Sequence, residues 1–86
     1  MILTPGEMVQ TIASRVPERA FAKVRFESGH EWCLTRIASE DLTVLDKRVD
    51  PAVRACPTYW AGIHGETAIL VHPRPDRPYE VEFTAP

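Results

Sequence analysis

Between Ala20 and Ile37 the chain alternates cleanly between apolar and polar side chains. Ala22, Val24 and Phe26 alternate with Lys23, Arg25 and Glu27. Trp32 and Leu34 alternate with Glu31, Cys33 and Thr35. A two-residue period is that of a strand with one wet face. Gly29 closes a three-residue loop with Glu27 and Ser28, where a left-handed residue is needed. The pattern therefore predicts a β-hairpin with Val24 opposite Trp32 and Ala22 opposite Leu34. Arg25 then faces Glu31 across the strands, a favourable pair. A slip of one residue would set Trp32 against Arg25.

The period changes on either side. Met8, Val9, Ile12, Ala13 and Val16 form a helical stripe. Thr4 and Glu7 have capping-box spacing, Pro5 suits a first helical position, and Leu3 with Met8 would staple the start. Pro17 restricts Val16 and ends the run. These signals predict a helix over about residues 5–15, covering the hairpin's apolar face.

Residues 42–49 carry two readings. Thr43 and Val44 are β-branched and favour a strand after a Ser39–Glu40–Asp41 turn, whereas Leu42, Leu45 and Val49 fit helical spacing. The strand is the favoured reading. Asp50 and Pro51 predict a short helix ending before Pro57. Ala68–Val71 is a continuous apolar run, as in a strand covered on both faces. Tyr79, Val81 and Phe83 alternate with Glu80 and Glu82, predicting a second hairpin across the proline-rich loop at 72–78.

The expected fold is thus α+β in two layers: an N-terminal helix on a mainly antiparallel sheet of four or five strands made from two hairpins. The expected core comprises Met8, Ile12, Val24, Phe26, Trp32, Leu34, Ile69, Val71, Val81 and Phe83. With 86 residues, one domain spanning 1–86 buries roughly 60–65% of its unfolded surface, a thin core.

Charge narrows the function classes. A formal net charge of −2, from ten basic and twelve acidic side chains, argues against a general nucleic-acid binder. Neither a secretory signal nor a membrane span is recognisable. Two cysteines, Cys33 and Cys56, are too few for a disulfide framework. Together these predict a cytoplasmic protein with free thiols.

Candidate chemistry is sparse. Cys33, Cys56, His30, His64 and His72 lack metal-ligand spacing, and Asp41, Asp46 and Asp50 lack the glycine and closing glutamate of a calcium loop. No metal or cofactor is expected. Cys56 with His64 or His72, and an acid such as Glu66, would be the elements of a thiol hydrolase. Arg15, Arg19, Lys23 and Arg25 form a basic cluster that could meet nucleic acid. Neither set comes with a local motif.

The remaining expectation is a non-catalytic protein-binding module that acts by occlusion or bridging, as a regulator, adaptor or small mobile-element-type inhibitor. Tyr59 and Trp60, in a run broken by Pro57, Gly62 and Gly65, are either a core lid or a recognition surface. His64 lies in the same run. Arg74 and Arg77 sit in the stiff proline-braced loop, which would lose little entropy on binding. A sheet edge or face left uncovered by one short helix would also permit a homodimer.

Overall fold

The computed structural model describes residues 1–12, 20–50, 52–63 and 67–84. Six strands and one helix are present among them: β1 (Val9–Thr11), β2 (Phe21–Arg25), β3 (Glu31–Arg36), α1 (Ser39–Arg48), β4 (Tyr59–Gly62), β5 (Ala68–His72) and β6 (Glu80–Thr84). The strands form one curled mixed sheet in the order β1-β5-β4-β3-β2-β6. Residues 1–3 lie along the free side of β6: Ile2 bridges Glu80, and Leu3 N donates to Tyr79 O at 2.9 Å. The first eleven residues therefore supply one end strand, β1, and also bond to β6 at the other end of the curled sheet.

This corrects the expected architecture. There is no helix over residues 5–12; the chain there makes a turn and then β1, and residues 13–19 lie outside the described part. Thr4-Pro5-Gly6-Glu7 is a β-turn with Gly6 at φ 77° and Glu7 N donating to Thr4 O at 3.4 Å. Proline followed by a left-handed glycine suits a type II turn, and this preference outweighs the capping-box spacing of the same residues.

The β2–β3 hairpin forms in the expected register, with Ala22 opposite Leu34, Val24 opposite Trp32 and Arg25 opposite Glu31. Gly29 takes φ 90° in the turn. The ion pairs run elsewhere, however. Arg25 pairs with Glu82 of β6 at 2.5 Å, and Glu31 pairs diagonally with Lys23 at 2.7 Å.

The second hairpin does not form. β5 pairs with β1 and β4, while β6 pairs with β2. The proline-rich segment is thus a crossover between separated strands. Residues 39–48 are helix, not strand. Glu40 and Asp41 in the first turn and Lys47 and Arg48 in the last complement the helix dipole. Topology adds a reason: β3 and β4 are parallel, and a parallel pair needs a long crossover, usually helical. No helix is present at 52–56; Asp50 Oδ1 accepts from Ala52 N at 2.9 Å in a local turn, and Pro51 is outside the described residues.

The core sits inside the curl. Leu3, Ala20, Ala22, Val24, Leu34, Trp60, Ile69, Val71, Tyr79 and Val81 are buried together. Outside the curl, α1 covers β4 and β5 through Leu42, Ala61 and Leu70, so the apolar run of β5 is covered on both faces. Trp32, expected in the core, is 49% exposed. Pairing with β4 begins only at Thr35, so the Trp32 end of β3 extends past its neighbour. Met8, Ile12, Phe26 and Phe83 are partly buried at the core margins. No helix among the described residues is long and apolar enough to cross a membrane.

Candidate functional site

At one end of the curl, the start of β2, the end of β3 and the start of β4 converge on an open depression of about 470 Å³. Its lining is Ala20, Phe21, Leu34, Thr35, Arg36 and Trp60. Alternation explains why these side chains meet. Ala20 and Ala22 turn into the core, so Phe21 falls in the same phase as Lys23 and Arg25 and faces outward. It is the most exposed large apolar residue among those described, at 66%. Trp60 forms part of the wall from beneath and is itself fully buried, edge-on to Phe83 with ring centroids 5.4 Å apart. The Arg36 guanidinium lies 5.0 Å from the Trp60 ring centroid, a cation–π arrangement. The indole Nε1–H of Trp60 is buried without a hydrogen-bond partner among the described residues.

A second, larger groove of about 570 Å³ opens beside the hairpin turn, walled by Ile2, Phe26, Arg77, Pro78 and Tyr79. Glu27 and Glu80 add carboxylates to its lining, and its two arginines are already engaged. Arg25 is bound to Glu82, and Arg77 donates to the Tyr79 hydroxyl at 3.1 Å. The hydroxyl in turn donates to Asp76 Oδ1 at 2.5 Å. Burial, and then the bond to Asp76, push the Tyr79 phenol up. The network braces the proline loop against the core.

The residues expected to meet a partner take different places in the fold. Trp60 is in the core of β4, so its aromatic face is not offered to a partner in this conformation. Tyr59 points the other way, half-buried beneath α1. Arg74 is bound to Asp46 of α1 through its Nε at 3.1 Å and its Nη2 at 2.9 Å. Arg77 lies over the Tyr79 ring, with its Cζ 5.4 Å from the centroid. His64 lies outside the described residues.

The sets weighed for other chemistries are also placed. Cys33 and Cys56 are both free. Burial pushes the Cys56 thiol up, and the Asp76 carboxylate adds to this against the opposing pull of Arg77 and Tyr79. A nucleophilic cysteine needs the opposite shift. His72 is buried on the face of β5 that meets α1, with Nδ1 4.0 Å from Asp46 Oδ1. Of the basic cluster, Arg15 and Arg19 lie outside the described residues. Lys23 and Arg25 are paired with Glu31 and Glu82 on a face that also carries Glu80. Their hydrogen-bonded carboxylates compete with any phosphate. Asp41, Asp46 and Asp50 do not converge, and no metal-ligating cluster occurs among the described residues.

Phe21 and Arg36 are the residues that the alternation left unused. The signal was present: a phenylalanine in the wet phase of a strand is exposed for as long as that register holds. No protein-family model, curated protein or solved structure matches this chain.

Proposed function

We propose that the protein is a non-catalytic protein-binding module and that the depression beside Phe21 receives an apolar side chain of its partner. The supporting observation is the exposure of Phe21 at the rim of a mostly apolar hollow on a rigid, hydrogen-bonded sheet. An aromatic anchor on a preformed scaffold contributes contact area with little loss of side-chain entropy. Burying one such ring is worth roughly 1.5–3 kcal/mol, enough to dominate a small interface. Arg36 beside the hollow gives the rim a polar edge, the usual anatomy of a protein-binding patch.

The test compares wild type with Phe21→Ala and with a distant surface control, Ser28→Ala, in capture from extracts of the native host. A partner retained by wild type and the control but lost by Phe21→Ala, with unchanged melting temperature, supports the reading. Equal capture by all three contradicts it. Sizing at rising concentration distinguishes a second copy of this chain from a different protein.

A further inference from the structure

Helix α1 is lightly fastened for an element that covers part of the core. Leu42 is its one fully buried side chain. The residue that precedes it, Ala38, provides no side-chain cap. With ten residues it is shorter than the ~12–15 at which isolated helices become stable in water. A polar clamp fastens the C-terminal half, where Arg74 donates to both carboxylate oxygens of Asp46, at 3.1 and 2.9 Å. Beneath the clamp, His72 is buried and its Nδ1 makes no hydrogen bond among the described residues.

The connections either side are tied to the sheet or to themselves. Ile37 N donates to Trp60 O at 3.0 Å, and Val53 N donates to Asp50 O at 2.8 Å. The helix can therefore leave without breaking a sheet ladder, turning about residues 37–38 and 49–50. We infer that α1 is a separately opening cover, latched by the Asp46–Arg74 pair. Lifting it bares an apolar strip of Ala61, Leu70, Tyr59 and Ile63 on the outer face of β4 and β5. The charged and titratable groups facing the latch are Asp46 from α1, His72 from β5 and Arg74 from the crossover, with Glu7 near enough to favour the Arg74 charge.

Amide hydrogen exchange on the full chain at neutral pH tests this. In wild type, the amides of α1 should exchange faster than those of β5, which is hydrogen-bonded on both sides. Asp46→Asn and Arg74→Gln should each speed exchange within 39–48 roughly tenfold and leave β2 and β3 unchanged. The double variant should add little to either single one. Equal rates for α1 and β5 in wild type would overturn the inference. So would variants that leave α1 unchanged, or that speed β2 and β3 by the same factor as α1.

Discussion

Gln10 shows how much one buried polar side chain can organise. It is 2% exposed, and no apolar pattern draws attention to it. Its Oε1 accepts from Thr4 N at 2.7 Å, while its Nε2 donates to Thr4 O at 3.0 Å and to Glu7 O at 2.7 Å. The carboxamide holds the β-turn in the shape that lets the first residues serve both ends of the sheet. Gln10→Leu should lower stability by about 1–2 kcal/mol, because it removes three hydrogen bonds to the turn that water replaces only in part. Chemical denaturation measures the loss. Gly6 is constrained by its backbone, at φ 77°, and the nearest neighbour of an added side chain among the described residues is the movable end of Arg54. An added Cβ would sit 2.8 Å from the Arg54 guanidinium carbon. Gly6→Ala should cost about 1 kcal/mol or more, and Arg54→Ala should relieve little of it, since the left-handed strain remains. For Trp60, full burial predicts that Trp60→Ala loses about 3–5 kcal/mol. The sequence alone favours Trp60 as a core lid over a recognition aromatic but sets it on a loop, because its place in a strand is not visible until the strand's neighbours are known.

Elements were legible where their signals were local. The β2–β3 register follows from alternation and one glycine, and it forms as expected. The pairing of β5 and β6 was not legible, because proximity in sequence favours a hairpin and the competing partners lie far along the chain. Helix α1 could be read from its charge layout, which β-branched Thr43 and Val44 obscured; the Thr43 hydroxyl donates to Ser39 O at 2.8 Å and is accommodated in the helix. Because Ala38 already has extended backbone, at φ −67° and ψ 145°, Ala38→Asp should cap α1 and raise stability by about 1 kcal/mol. The latch also predicts a pH dependence. Arg74's hydrogen bonds, and secondarily the charges of Arg74 and His72, hold the Asp46 carboxyl below its usual range. A carboxylate depressed in the folded state contributes stability above its unfolded pKa, and that contribution is lost as pH falls through the folded one. Acid titration of stability should therefore show a wild-type loss below the ordinary carboxylate range that Asp46→Asn lacks.

At the scale of the whole molecule, the curled sheet leaves two kinds of outer surface. One, over β4 and β5, is covered by α1. The other, over β2, β3 and β6, carries paired charges and ends at Phe21. The candidate site was half legible: Trp60 stands out in the sequence as either a core lid or a recognition surface, while Phe21 and Arg36 gain their meaning only when β2, β3 and β4 are brought side by side. Binding through the Phe21 hollow makes a direct demand. A photo-crosslinking phenylalanine analogue placed at position 21 should form an adduct with one distinct host protein, whereas the same probe at Val44, exposed on α1, should not. An absence of adducts at position 21, or the same adducts from both positions, would contradict the account.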